Sequence, residues 1–321
     1  MASLSGAGVV ALLLVVGAAA AFDLQRVEAR TLVIYTTPAL QDFVEKAAIP
    51  AFTAATGIRA VAVYFTASSE YYRLRLSQER PEADVFLHAS PLYLEKGAAA
   101  GLFEAWTTTA PGVAALDGQP TTAAWHAFAW SPVVSVYAKD RTDAPDLLDG
   151  DDRLGLAHPL LSNNGVYVTL LLDDAGPDTR QQVLARTVVQ PTNARATIGG
   201  VADGSYDLTL GYEAVASFFQ GRGANVVYDV PMLGGEATTA PVLFAASLVA
   251  NHPHDGAEAF LASLLTPEVQ GKLAASGLRP VLAGVAGPAG ALDLDGVRIL
   301  RTDWSDWAAI EARLPAYEVK A

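Results

Sequence analysis

The sequence contains no cysteine among its 321 residues. Disulfide bonds, thiolate catalysis and cysteine-ligated metals are therefore excluded. Basic residues are also scarce, because 21 lysines and arginines stand against 34 aspartates and glutamates, and the formal net charge is −13. Since nucleic acid binding needs a basic surface, this charge balance argues against a nucleic-acid partner.

The usual signatures of enzyme active sites are missing as well. No G-x-S-x-G sequence presents a nucleophilic serine, no P-loop is present, and no G-x-G-x-x-G follows a predicted strand. Of the five histidines, only His252 and His254 are close in sequence, and their turn predicts surface positions. The pairs Asp151-Asp152 and Asp173-Asp174 are interpreted as solvated charges in loops. We therefore expect no catalytic residue, no metal centre and no cofactor, with an exported enzyme on an α/β scaffold as the alternative of another class.

The one long apolar run of the sequence extends from Ala7 to Phe22, and polar residues follow it at once. Together with the small-x-small triplet Val27-Glu28-Ala29, this run is typical of a signal peptide and its cleavage site. We therefore assign residues 1–29 to a signal peptide and expect the mature protein in the periplasm or outside the cell. Because no Lys or Arg precedes the run, an uncleaved N-terminal segment that tethers the protein to a membrane is the alternative interpretation.

Three strand-turn-helix units follow the predicted signal peptide. Strands are predicted at Thr31 to Tyr35, at Ile58 to Phe65 and at Asp84 to Leu87, and each ends in a polar, hydroxyl-rich turn that begins a helix. Helix N-termini attract anions, and turns at the carboxyl ends of strands are where small ligands bind in open α/β sheets. Three such turns at one sheet edge therefore predict one binding site. The polar residues of these turns include Thr36 and Thr37, Ser68 and Ser69, and His88 and Ser90.

Two further strand ends are predicted in the second half of the chain. A short strand from Leu154 to Ala157 leads through a Ser-Asn-Asn-Gly turn into a helix from Val166 to Leu172. A later strand, from Gly204 to Tyr212, ends at Tyr212-Glu213. These ends add Asn163, Asn164, Tyr212 and Glu213 to the candidate ligand-binding residues.

Several stretches of the sequence resemble one group of binding proteins. LVIYTT, YFTASSEYYRLRL and PEADVFLHAS are similar in kind and spacing to the first three strand-turn units of ferric-, molybdate- and aminoethylphosphonate-binding receptors. AFLASLLTPEVQGKLAASGLRPV is similar to a C-terminal signature of the same receptors. These are type II periplasmic solute-binding proteins, the receptors of ABC importers. The resemblance covers Leu32 to Val281, and Gly284 to Ala321 is a divergent tail that we expect to pack against the first lobe.

The resemblance implies an α/β fold of two lobes, each a mixed sheet flanked by helices, with a two-segment hinge. Residues 30–129 with 244–321 are predicted to form lobe 1 and residues 130–243 to form lobe 2, and the crossings are expected near 129–131 and 240–244. The implied function is that of a monomeric extracytoplasmic receptor that binds a small polar solute between the lobes and delivers it to the membrane permease of an ABC importer. In this family the first three turns form one wall of the ligand cleft, and the resemblance therefore implies Thr36, Thr37, Ser68, Ser69, His88 and Ser90 as ligand-binding residues.

The ligand class rests on fewer residues. The ferric binders of this family use adjacent tyrosines from the second lobe, whereas this sequence offers only Tyr212 followed by Glu213. Hydroxyl-rich turns and helix N-termini suit a phosphonate or another tetrahedral oxyanion. Glu213 or Glu236 would pair with an amine on the same ligand, so 2-aminoethylphosphonate is the leading candidate. Molybdate or sulfate comes next, and ferric iron bound by oxygen and nitrogen ligands is the remaining alternative.

Overall fold

The computed structural model describes residues 31–107, 123–141, 145–147, 150–251 and 256–319. The predicted signal peptide at residues 1–29 and the histidines His252 and His254 lie outside the described residues. Within these ranges, no helix has the length and apolar character needed to cross a bilayer.

The described strands begin with three that follow one another closely in the chain and end with two short ones near the C-terminus. In chain order they are β1 Leu32–Thr36, β2 Ala60–Tyr64, β3 Val85–His88, β4 Phe103–Glu104, β5 His126–Tyr137, β6 Leu154–Gly155, β7 Thr187–Val189, β8 Leu208–Tyr212, β9 Val227–Asp229, β10 Met232–Leu233, β11 Glu236–Thr239, β12 Pro241–Val249, β13 Arg279–Pro280 and β14 Arg298–Ile299.

The described helices alternate with most of these strands, as expected for an α/β protein. In chain order they are α1 Gln41–Phe43, α2 Ile49–Thr56, α3 Ala67–Leu76, α4 Pro91–Ala99, α5 Asn163–Asp174, α6 Pro177–Arg186, α7 Ala194–Ala202, α8 Glu213–Gly221, α9 Ala257–Leu264, α10 Pro267–Ala275 and α11 Trp307–Arg313. A 3-10 turn, Pro38–Leu40, precedes α1, and a π-helical segment, Val44–Ala48, joins α1 to α2.

The pairing of the strands connects two groups through one long strand. β2, β1 and β3 are parallel, and β12 pairs with β3 in the antiparallel sense. Residues 126–132 of β5 pair with β12, whereas residues 133–137 pair with β8, which continues in parallel to β6, itself paired with β7. β5 therefore belongs to both groups, β2-β1-β3-β12 and β8-β6-β7. The predicted mixed α/β class is confirmed, and the division into lobes at the stated residues stays a prediction.

The first three strands end together at one edge of the sheet. Thr36, the last residue of β1, pairs with Tyr64 of β2 and with Leu87 of β3. All four residues of β3 are buried, because a parallel strand inside an α/β sheet is covered on both faces. The packed sheet therefore fixes the positions of the turns that follow these strands.

The C-terminal tail contacts both groups of elements. The sequence analysis expects contact with the first group alone. Trp307 of α11 lies beside Lys96 of α4, with the ammonium 5.9 Å from the ring centroid. Arg313 forms an ion pair of 3.0 Å with Asp173 at the end of α5. Asp173 is thus a paired residue of a helix, which corrects its interpretation as a solvated loop charge.

Candidate ligand-binding site

A narrow cleft lies where the strands of both groups end and the helices begin. Its volume of about 20 Å³ is room for about one ordered water molecule. The residues that line it are Thr37, Pro38, Ala39, Phe65, Thr66, Ala89, Ser162, Asn163, Thr192, Asn193, Ala194 and Tyr212.

Many of these residues are the N-caps of helices. Thr37 precedes the 3-10 turn, and the α-helices α3, α5, α7 and α8 begin directly after the N-caps Thr66, Ser162, Asn193 and Tyr212. The first backbone N–H groups of a helix have no partner within the helix and lie at the positive end of its dipole. Helix N-termini from both groups of strands therefore converge on one small space, which favours an anion.

The electrostatics of the cleft come from neutral groups. None of the described residues that line it carries a charged side chain; the polar lining consists of hydroxyl groups, amides and a phenol. Asn193 uses its side chain to cap α7, accepting a hydrogen bond of 2.9 Å from the Ala196 N–H. Thr37, Thr66, Ser162 and Tyr212 make no such capping bond. The N–H groups that follow these four residues are therefore not satisfied by the capping side chain.

Three buried polar atoms of the lining have no hydrogen-bond partner among the described residues. They are Thr37 Oγ1, Asn163 Oδ1 and Tyr212 OH, on residues that are 4%, 6% and 1% exposed. An unsatisfied buried polar group costs about 1–3 kcal/mol, so these three atoms are candidates for hydrogen bonds to a bound solute or to water.

Of the residues predicted from the sequence, the structure brings Thr37, Asn163 and Tyr212 together around the cleft. Thr36, Ser90 and Asn164 are fully buried beside lining residues but do not line the cleft themselves. The Asn164 side chain instead donates a hydrogen bond of 2.7 Å to the Leu210 carbonyl and so fastens α5 to β8.

Ser68 and Ser69 lie in the first turn of α3 and do not line the cleft. Ser69 is exposed, and its hydroxyl donates to the carbonyl oxygen of Thr66 at 2.9 Å. The neighbouring Thr66, which is not among the predicted site residues, lines the cleft, and its hydroxyl shares a hydrogen bond of 2.7 Å with the Ser69 hydroxyl.

His88 lies behind the cleft wall rather than in it. Its Nδ1 accepts a hydrogen bond of 3.1 Å from the N–H of Ser90, the N-cap of α4. Its Nε2 is 3.8 Å from a carboxylate oxygen of Glu70, and both side chains are fully buried. Burial raises the pKa of Glu70 well above its ordinary value. His88 therefore positions the start of α4, and it does not face the solute.

Glu213 binds groups of the protein itself and does not line the cleft. Its carboxylate accepts hydrogen bonds from Arg279 at 2.7 and 2.9 Å and from the Leu292 N–H at 2.6 Å. Glu236 forms an ion pair of 3.0 Å with Arg298. Neither carboxylate lines the cleft, because arginine partners hold both elsewhere, so the predicted partner for a ligand amine is absent from the described lining.

Sequence reasoning missed the contribution of α7. Thr192 and Asn193 line the cleft at the start of this helix, which the sequence analysis does not predict. An available signal was the Asn that follows Pro191 and Thr192, since Asn is a favoured N-cap.

The described residues of the cleft offer few side chains that commonly bind metals. Among the described residues, no group of three or more His, Asp or Glu is placed to hold a metal ion. Tyr212 is the tyrosine that the sequence offers as an iron ligand, and burial raises the pKa of its phenol well above the ordinary value, with Tyr167 adding to the shift.

Comparison with known proteins identifies the class. Residues 32–279 match the model of the family described as bacterial extracellular solute-binding protein. The chain belongs to this family, and the resemblance to type II periplasmic solute-binding proteins is confirmed. A search among curated proteins returned no match.

Solved structures with the same fold are those of proteins that bind diverse ligands. A periplasmic thiamin-binding protein is 20% identical, with a TM-score of 0.77 and coverage of 91% of this chain and 96% of that one. AfuA from Actinobacillus pleuropneumoniae, with fructose-6-phosphate bound, is 16% identical, with a TM-score of 0.73 and coverage of 89% and 96%. Iron-bound HitA from Pseudomonas aeruginosa is 18% identical, with a TM-score of 0.72 and coverage of 89% and 99%. At these identities the likeness shows the fold alone.

Proposed function

We propose that the protein is the extracytoplasmic receptor of an ABC importer and that it binds a small anion, a phosphonate or another tetrahedral oxyanion, in the described cleft. The observation that carries this proposal is the convergence of helix N-termini from both groups of strands on a cleft without charged lining residues. Thr37, Asn163 and Tyr212 add polar side-chain atoms that lack partners among the described residues.

Neutral donors suit this task on physical grounds. An oxyanion enclosed by N–H and O–H groups forms charge-assisted hydrogen bonds, and the helix dipoles supply positive potential without a buried cation that would need its own partner. A cleft of this kind recognises the geometry and charge of the anion while it excludes water.

Because the described cleft has room for only about one water molecule, the two lobes, residues 30–129 with 244–321 and residues 130–243, separate to admit the solute and then close around it. In this division, Thr37, Phe65 and Thr66 line the cleft from lobe 1, and Ser162, Asn163, Asn193 and Tyr212 line it from lobe 2. The hinge segments near 129–131 and 240–244 lie on β5 and at the start of β12, which pair with each other. The closed, loaded form is then delivered to the permease, which is the usual consequence of hinge closure around a solute.

Within this ligand class, the charge of the cleft favours solutes that need no carboxylate partner. Glu213 and Glu236 are held by Arg279 and Arg298, so 2-aminoethylphosphonate keeps only the contacts of its phosphonate group. A simple alkylphosphonate, phosphate, sulfate or molybdate uses the same donors fully.

A thermal-shift screen with phosphate, sulfate, molybdate, methylphosphonate, 2-aminoethylphosphonate and Fe(III) tests the proposal. A solute at a hundredfold excess over its dissociation constant adds about 2.7 kcal/mol to the free energy of unfolding, which is a shift of a few degrees. We expect stabilisation by at least one of the oxyanions or phosphonates. Stabilisation by Fe(III) alone would contradict the ligand class, and stabilisation by none of the solutes would contradict the cleft assignment.

Tyr212→Phe and Asn163→Ala tie the binding to this cleft. Each removes an unpartnered buried polar atom, so we expect a loss of affinity of about 1–3 kcal/mol by calorimetry, with little change in the stability of the ligand-free protein. Asn225→Ala is the matched control, because Asn225 does not line the cleft. Equal affinities for Asn163→Ala and Asn225→Ala would show that the solute binds elsewhere.

A further inference from the structure

Arg195 connects the two proposed lobes at the edge of the cleft. It is the second residue of α7, directly after the lining residues Asn193 and Ala194. Its Nε donates to the Pro38 carbonyl at 3.2 Å, and its terminal nitrogen donates to Asp42 Oδ2 at 2.5 Å. Pro38 itself lines the cleft, so this tie between Arg195 and the Pro38–Asp42 segment bridges the rim of the solute site.

Both partners of the tie keep a contact within their own lobe. Asp42 also forms an ion pair with Lys46, one helical turn further along the chain. The Arg195 guanidinium lies 4.5 Å from the centroid of the Phe218 ring, which belongs to α8 of the same lobe. When the tie breaks, Asp42 keeps its ion pair with Lys46 and Arg195 keeps its contact with the Phe218 ring. The contact between Arg195 and Asp42 is therefore suited to form and break reversibly.

The Arg195 and Asp42 side chains are largely shielded from water. Arg195 and Asp42 are 27% and 25% exposed. Burial by itself would raise the pKa of Asp42, but its hydrogen bonds to Lys46 and Arg195 outweigh this and hold the pKa below its ordinary value. An ion pair with a second hydrogen bond from the same guanidinium is more directional than an exposed single pair.

We propose that Arg195 is a positioning residue that holds the cleft closed and slows release of the solute without touching it. This inference rests on the proposed function and names the residue that regulates solute retention. Arg195 is not among the residues that line the cleft, so its effect on affinity passes through the closed conformation. Interactions that exist only in the closed form shift the equilibrium toward it and raise the apparent affinity.

The test compares Arg195→Gln with Arg222→Gln. Arg222 lies 4.1 Å from the centroid of the same Phe218 ring. Among the described residues, however, no hydrogen bond or ion pair joins its side chain to lobe 1. For each protein, X-ray scattering gives the radius of gyration without added solute, and stopped-flow gives the dissociation rates of inorganic phosphate and methylphosphonate. We expect Arg195→Gln to increase the radius of gyration and to raise the dissociation rate roughly threefold to tenfold, with Arg222→Gln unchanged from the wild type.

Arg195→Lys refines the result, because it keeps a charge for Asp42 but loses the second hydrogen bond to Pro38, and an intermediate rate is expected. An unchanged radius and unchanged rate in Arg195→Gln would overturn the proposal while leaving the receptor function intact. If neither probe bound the wild type but Arg195→Gln still expanded the protein, the ligand class would fail and the tie would stand. Asp42→Asn is a second variant that breaks the same contact. If both Arg195→Gln and Asp42→Asn failed to fold, the contact would be purely structural and the proposal would be overturned.

Discussion

Glu70 is a carboxyl group that the solute site does not use and that water does not reach. It lies in the first turn of α3, is fully buried, and approaches His88 Nε2 at 3.8 Å, beyond hydrogen-bond distance. Burial raises its pKa well above the ordinary value, so the folded protein holds a proton that the unfolded chain releases once the pH exceeds its ordinary pKa. The free energy of unfolding therefore falls as the pH rises above that value.

The first prediction follows from this decrease in the free energy of unfolding with rising pH. Glu70→Gln keeps the shape of the protonated side chain and removes the proton, so it should raise the free energy of unfolding at pH 8, by on the order of 1 kcal/mol for each pH unit between the two pKa values. The gain should vanish near pH 4, where the wild-type carboxyl group is protonated in both states. Urea unfolding of both proteins at pH 4, 6 and 8 measures it. A less stable variant at pH 8 would show that His88 holds Glu70 as a carboxylate.

At the scale of the element, the N-terminus of α5 is fixed by a glycine. A Cβ at Gly165 would lie 2.2 Å from the carbonyl oxygen of His158, and the obstacle is backbone, which cannot rotate away. Gly271 in α10 is the opposite case, since a Cβ there meets nothing within 4 Å. The close approach at Gly165 sets the position of Asn163, two residues earlier, at the cleft.

We therefore predict opposite outcomes for two Gly→Ala variants in helices. Gly165→Ala should lower the free energy of unfolding by about 1–3 kcal/mol and should weaken solute binding, because α5 must shift. Gly271→Ala should raise the free energy of unfolding by up to about 1 kcal/mol, since alanine is the better helix former, and should leave binding unchanged. Urea unfolding and calorimetry measure both effects. Destabilisation of equal size in the two variants would contradict the role of the His158 contact.

The elements also show what the sequence predicts well and where it stops. β1 and β3 lie close to their predicted positions because runs of apolar β-prone residues mark buried strands. α7 was missed, and its glycine pair explains why: a Cβ at Gly200 would lie 2.3 Å from the Tyr206 ring, so long-range packing requires a residue that local propensity disfavours in a helix.

The same limit applies to the candidate site. Thr37, Asn163 and Tyr212 follow from strand ends and helix starts, which are local signals. That Glu213 faces Arg279 and the Leu292 N–H depends on chain segments 66 and 79 residues away in sequence. No local pattern predicts such a partner, so a carboxylate next to a cleft residue was assigned to the ligand.

At the scale of the whole molecule, the C-terminal tail limits how the two proposed lobes move. Lys96 of α4 pairs with Glu311 of α11, while Gln190, beside the cleft residue Thr192, donates to the Tyr317 carbonyl at 2.7 Å. The N–H of Val319 donates back to the Gln190 side chain at 2.9 Å. The tail thus joins α4 to the end of β7, and we expect these contacts to act together with the Arg195 tie if the proposed lobes close.

The net charge gives the last prediction, because a receptor with a formal charge of −13 repels the anion that it is proposed to bind. The helix N-termini attract the anion only at short range, whereas the repulsion extends over the Debye length, about 30 Å at 10 mM salt and about 8 Å at 150 mM. We therefore expect the association rate of phosphate or methylphosphonate to rise with salt, by a few-fold over this range. The dissociation rate should change little, since the bound anion is enclosed. Stopped-flow measurements in sodium chloride and in sodium acetate separate screening from competition by one particular anion. An association rate that fell with salt in both series would mean that positive potential extends from the cleft into solvent and dominates the approach.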